Sequence, residues 1–204
     1  KALLRGGVQY VEMRSLDVSA FDPVGVNQNK LRFLEAFATY CAIADERPIE
    51  DAEQGELDGN HARVAREGRA PGLRLRRQGR DVALKDWANE IIDGMRGVCE
   101  LLDEGDAQCP YSTALETQAA KVGNAAPTPS ARTLAEMRTN EESFFDLALR
   151  MSRLHKAYFL DLYSPNERRQ DEFAAQAQQS LEAQARLESE NVTPFDVYLQ
   201  KFFA

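Results

Sequence analysis

From Asp86 to the end of the chain, apolar residues recur every three or four positions, and this constrains the fold more than any other feature. Trp87, Ile91, Met95, Val98 and Leu102 fall on one side of a helix over about 86–103, with Asp86 as its cap. A weaker pattern predicts a helix over 112–122. The Pro-rich "GNAAPTPS" then separates it from a helix that Thr128-Pro129 opens and that runs to about Arg138. Thr139-Asn140-Glu141-Glu142 has capping-box spacing before a long helix carrying Phe144, Leu147, Met151, Leu154 and Tyr158. A polar helix over roughly 165–189 carries only sparse apolar positions (Phe173, Ala177, Leu181, Leu187) and belongs on the surface. Thr193-Pro194 opens a last short helix, "PFDVYLQKFF".

The front of the chain reads differently. After Gly6-Gly7, "YVEMRSLD" alternates with period 2, predicting a strand over 8–16 with Glu12 and Arg14 on one face. "SAFDPVGVN" turns the chain toward a helix over about 30–44, capped by Asn29, with Leu31, Leu34, Phe37, Ala38 and Cys41 as its buried stripe. Residues 45–59 hold seven carboxylates without EF-hand spacing and read as a solvated loop. His61 lies on a short helix over 60–67 as an exposed side chain, and His155 flanks an apolar stripe as a structural one. Eight basic residues then fall between Arg63 and Lys85. Leucine and arginine alternate around Gln78-Gly79, predicting a hairpin (73–77, 81–84) with Leu73 and Leu75 inward and Arg74 and Arg76 outward. Its positive potential suits either the nearby acidic segment or an anionic ligand such as ATP.

One strand, one hairpin and many helices make an α+β fold that is mostly α-helical. The organisation divides into 1–85, the sheet-associated part, and 86–204, a helical region. A net charge of −8 argues against a nucleic-acid or anionic-membrane binder. No apolar run reaches the roughly 20 residues of a bilayer span. Three widely spaced cysteines, Cys41, Cys99 and Cys109, form no zinc or redox motif and suit a reducing cytoplasm. Cys41 is expected in the core. A chain opening at Lys1 almost directly into a strand, with few others downstream to pair with, reads as the C-terminal part of a longer protein or as a trimmed one.

No Walker loop, GxGxxG, GxSxG or HExxH is present, and two distant histidines do not suggest a triad. Glu12-x-Arg14 is the chemical candidate that remains. On a strand these groups lie about 7 Å apart along one face. Taken alone, the pattern reads as a cross-strand ion pair or two surface charges on an edge strand, with a catalytic role as the second reading.

The neighbouring segments add weight to the second. "GVQYVEMRSLDVSAFDPVGV" resembles the E-[VM]-R-S-L-D strand and F-x-P-x-G turn of the proteobacterial glutamate–cysteine ligases, and the resemblance continues through "RFL" and "YCAIAD". "ARVAREGRAPGLRL", "PSARTLAEM" and "TPFDVYLQKFFA" are similar to further segments of that family, in the same order. The resemblance implies a glutamine-synthetase-like antiparallel sheet and the ATP-dependent joining of the L-glutamate γ-carboxylate to L-cysteine, the first step of glutathione biosynthesis. It implies Glu12 as a Mg²⁺ ligand and Arg14 as the catalytic guanidinium on the transferred ATP phosphoryl group. It also implies that the other metal ligands, including a histidine, belong to sequence preceding Lys1, so the chain alone is expected to be inactive. Its partners would be glutamate, cysteine, ATP and that missing N-terminal portion, with no nucleic acid and no membrane. The disulfide of some relatives cannot form, since 42–68 holds no cysteine. The alternative is a non-enzymatic helical scaffold, with Glu12 and Arg14 as a structural ion pair.

Overall fold

A computed structural model describes residues 2–7, 9–14, 16–44, 48–162, 166–190 and 193–203. In chain order the elements are α1 (Ala2–Gly6), α2 (Gln28–Ile43), α3 (Asp51–Glu67), the hairpin β1 (Arg74–Arg77) and β2 (Arg80–Ala83), then α4 (Leu84–Leu102), α5 (Pro110–Gly123), α6 (Pro129–Thr139), α7 (Phe144–Leu162), α8 (Glu167–Glu190) and α9 (Phe195–Phe203). The mostly helical reading with one small hairpin holds. The N-terminal strand does not. Residues 9–14 and 16–18 form no regular element, while Val8 and Ser15 of the expected strand lie outside the described residues. The reason is pairing: a strand needs a neighbour for its backbone groups, and among the described residues β1 and β2 pair only with each other.

The chain divides into two compact units, Lys1–His155 and Lys156–Ala204. The core of the first lies between α2, α4 and α5, where Ala36, Ile92, Met95, Val98, Cys99 and Leu115 are buried. On α2 the buried face is Phe33-Ala36-Phe37-Tyr40, one position round from the expected stripe, so Leu31 and Cys41 are exposed. Both sets have helical spacing, and the one with more aromatic area to bury is turned inward. Cys99, not Cys41, is the core thiol, and burial pushes its pKa up. Close approach of α2 and α4 depends on Gly94, where a Cβ would come within 2.8 Å of the Tyr40 ring.

Several helix starts differ from expectation. Asn27, rather than Asn29, caps α2 by accepting from the Lys30 N–H at 3.0 Å. On α4, Ala83 occupies the cap position, and Asp86 lies inside the first turn. The Thr139–Glu142 box is not used, because Thr139 ends α6. Instead Ser143 Oγ accepts from the Asp146 N–H at 3.2 Å and donates to its carboxylate at 2.6 Å. At α8, Asn166 accepts from the Arg169 N–H at 3.0 Å, while the expected start at Pro165 lies outside the described residues. Thr128 caps α6 as expected. Asp103, buried at the end of α4, accepts from the Tyr111 and Ser112 N–H groups at 2.8 Å each and so caps α5.

The acidic stretch is largely helix, a second correction. Of it, 45–47 lie outside the described residues, and α3 begins at Asp51. Asp51 and Glu53 sit in its first turn, where carboxylates suit the helix dipole. The hairpin holds the rest. Leu75 pairs with Val82, and Gln78 (φ 52°) and Gly79 (φ 75°) make the type I′ turn that their sequence suggests. Asn60 of α3 reads the β1 edge like a neighbouring strand: its amide donates to Arg76 O at 2.6 Å and accepts from Arg76 N at 2.8 Å. Asn60→Ala removes both bonds at a buried position. It is expected to cost about 1–3 kcal/mol, read as a lowered urea midpoint.

Candidate functional site

Glu12 and Arg14 lie on the irregular segment ahead of α2. They meet each other: Arg14 Nε donates to Glu12 Oε2 at 2.6 Å, with the Arg14 side chain 85% and the Glu12 side chain 46% exposed. Both line a groove of about 1120 Å³, together with Phe33 and Phe37 of α2, Ile91 of α4, Val122 of α5 and the charged Arg69, Lys85, Asp86 and Lys121. Met13 and Leu16 line it as well. The two candidate residues are therefore brought together, beside a largely apolar hollow and open to solvent.

The next turn fixes how that segment enters α2. Ser19 N–H donates to Gly25 O at 2.8 Å, and Gly25 N–H to Asp22 O at 2.8 Å. Gly25 has φ +79°, and a Cβ there would meet Val18 at 2.8 Å. Asp22 accepts from Lys30 Nζ at 2.5 Å and Asn27 Nδ2 at 3.0 Å, and the Arg132 guanidinium covers the Phe21 ring at 3.9 Å. The F-x-P-x-G turn thus has a structural explanation. It ties the Glu12–Arg14 segment to α2 and α6.

Burial pushes the Asp22 carboxyl upward, but hydrogen bonds from Lys30, Asn27 and Ser19 outweigh it and hold its pKa at about 2. The unfolded chain protonates the same group near 3.9. Its contribution, about 2 kcal/mol at most, is complete above about pH 4 and is lost as pH falls through the folded value near 2. Asp22→Asn should lower the melting temperature at pH 7, and the gap from the parent should narrow between pH 4 and 2. A gap constant over that range would contradict the assignment.

The basic hairpin spends its charge on neighbours. Arg77 makes a two-pronged pair with Glu90 (2.6 and 2.9 Å) and lies 5.0 Å above the centre of the Trp87 ring. Arg76 meets Asp81 at 3.0 Å and Glu56 at 4.0 Å. His61 is exposed and His155 half-buried. Among the described residues no group of three or more His, Cys, Asp or Glu side chains could hold a metal ion. Glu12 is a single carboxylate already engaged by Arg14, so these residues do not fit a Mg²⁺ site by themselves. Sequence reasoning missed Lys121, a half-buried groove residue whose ammonium donates to Gln118 Oε1 at 2.9 Å. A single lysine near a helix end carries no pattern that would mark it.

No helix among the described residues is long and apolar enough to cross a membrane. A glutamate–cysteine ligase family model matches residues 1–64. Over all 204 residues the chain is 42% identical to the glutamate–cysteine ligases of Pseudomonas putida (strain W619) and Pseudomonas entomophila (strain L48). It spans 39% and 38% of their lengths. A crystal structure of glutamate–cysteine ligase from Francisella tularensis in complex with AMP superposes with a TM-score of 0.80 at 28% identity, over 99% of this chain and 39% of that one. By sequence and by fold, the chain is similar to the glutamate–cysteine ligases, and what it matches in them is their C-terminal part.

Proposed function

We propose that this chain works as the C-terminal part of a glutamate–cysteine ligase, joining the γ-carboxylate of L-glutamate to the amine of L-cysteine in an ATP-dependent reaction through γ-glutamyl phosphate. The observation that carries the reading is the likeness to ligases over the full 204 residues, with Glu12 and Arg14 paired at the mouth of a groove.

Arg14 is the residue suited to the transferred phosphoryl group. Its guanidinium keeps its charge and presents a planar fork of donors, which matches phosphate oxygens as they gain charge in transfer. In the structure that fork is turned onto Glu12, and the exposure of both lets it exchange the carboxylate for phosphate without disturbing packing. Mg²⁺, where bound, would neutralise phosphate oxygens. This chain contributes one carboxylate to it, Glu12, and the other ligands would come from the part of a ligase that the chain does not span. The same dependence suits the irregular backbone of 9–14, which would become a strand of a glutamine-synthetase-like sheet once neighbours pair with it. The substrates are then glutamate, cysteine and ATP, and the compartment is the cytoplasm.

The scaffold reading draws on the same ion pair. Yet a pair this exposed contributes little to stability and specifies no fold. The discriminating experiment measures phosphate release and γ-glutamylcysteine formation in a complete ligase carrying Glu12→Gln. The proposal expects a higher Mg²⁺ requirement, and an unchanged Mg²⁺ dependence would count against Glu12 as a ligand.

A further inference from the structure

Glu12 and Arg14 have no ladder of their own to hold them. Residues 9–14 and 16–18 form no regular element, and the hydrogen bond between the two side chains ties them only to each other. What fixes the segment is the turn that follows. Ser19 is buried, and its Oγ accepts from the Phe21 N–H at 3.4 Å while its carbonyl accepts from the Asp22 N–H at 3.3 Å. Val18 lies so close to Gly25 that the turn closes directly on the segment leading back to Arg14.

The turn is held from two sides. One hold is local, from Asp22 to Lys30 and Asn27 at the start of α2. The other comes from a distant part of the sequence, where Arg132 of α6 places its guanidinium 3.9 Å from the centre of the Phe21 ring. Among the described residues Arg132 forms no ion pair, so its charge is spent on the electron-rich face of that ring. Its helix is fixed at both ends. Thr128 Oγ1 donates to Ala125 O at 2.6 Å and accepts from the Ala131 N–H at 3.4 Å, setting the start of α6 one turn before Arg132. Near the other end Arg150 of α7 pairs with Glu136 at 2.9 Å and with Glu142 at 2.6 Å.

We infer that Arg132 is a positioning residue for phosphoryl transfer: by clamping Phe21 it fixes the turn, and the turn, through Ser19 and Val18, fixes the place of Arg14. The inference rests on the reading that the chain works within a ligase. It adds to that reading a residue that acts through Arg14 rather than on the reacting atoms. A misplacement of about 1 Å at a reacting group can cost about 100-fold in rate, so the clamp bears on kcat more than on stability.

In a complete ligase carrying this chain, Arg132→Ala and Phe21→Leu are each expected to lower kcat about tenfold and to leave KM little changed. The double variant should lose no more than the larger single one, and Arg132→Lys should recover part of the rate. In an Arg14→Ala background, Arg132→Ala should cost nothing further, an outcome that a purely structural role would not produce. Arg138→Ala, exposed near the end of the same helix, should have no effect. In the 204-residue chain, the Ser19 and Gly25 amides are bonded within the turn, and Arg132→Ala should speed their hydrogen exchange about tenfold. Circular-dichroism melting confirms that each variant is folded. Unaltered exchange, or a rate loss that persists without Arg14, would overturn the inference. An active parent ligase indifferent to both substitutions would refute the inference and leave the ligase reading intact. A folded parent without product would refute the ligase reading, and the positioning role with it.

Discussion

Arg14→Ala, made in a complete ligase carrying this chain, should lower kcat by about 100-fold or more, the scale of removing one donor aimed at charge that develops in the transition state. With the side chain 85% exposed, Arg14 supports no packing, and its contact with Glu12 is local to two residues. Stability should therefore stay within about 0.5 kcal/mol of the parent, as for surface substitutions generally. Arg14→Lys keeps the charge but loses the planar fork, so it should recover only part of the rate. Rapid measurement of kcat and KM for all three substrates separates the possibilities. An effect confined to KM for cysteine would place Arg14 away from phosphoryl transfer.

The second large effect concerns folding. Met95 is fully buried in the α2–α4–α5 core together with Ala36, Cys99 and Leu115. Met95→Ala removes much of the side chain and leaves a cavity among residues held from three helices. The expected cost is about 2–5 kcal/mol, a large share of a domain's stability of about 5–15 kcal/mol. Leu181→Ala on α8, where the side chain is 61% exposed, should cost less than about 0.5 kcal/mol. Urea unfolding of both variants checks the contrast. Equal midpoints would mean that the core does not lie where the structure places it.

Much of the helical architecture was legible because its signals are local. Thr128-Pro129, the Gln78-Gly79 turn and the leucine–arginine alternation each fix a backbone geometry from neighbouring residues alone. What sequence reading missed depends on distant partners. The acidic stretch becomes α3 because Glu56 accepts from the Gly79 N–H and Asn60 binds the β1 edge, contacts between segments well apart in the chain. The face of α2 was ambiguous because two overlapping sets of residues both have helical spacing. For "YVEMRSLD" the missing information is larger still. Its alternation describes a strand, but a strand's ladder is a property of its neighbours. The identities of Glu12 and Arg14 were readable from the motif, whereas the groove beside them and Lys121 within it emerged only when α2, α4 and α5 came together.

The central claim is that this chain supplies Glu12 and Arg14 to a ligase site completed by other sequence. Its most direct measurement is ATP-dependent γ-glutamylcysteine formation by two proteins: the isolated 204 residues, and the same residues joined behind the N-terminal three-fifths of the Pseudomonas putida (strain W619) ligase. The account predicts no product from the first, and product from the second at a rate that Arg14→Ala lowers by about 100-fold or more. Product from the isolated chain, or a folded fusion whose activity ignores Arg14, would contradict it.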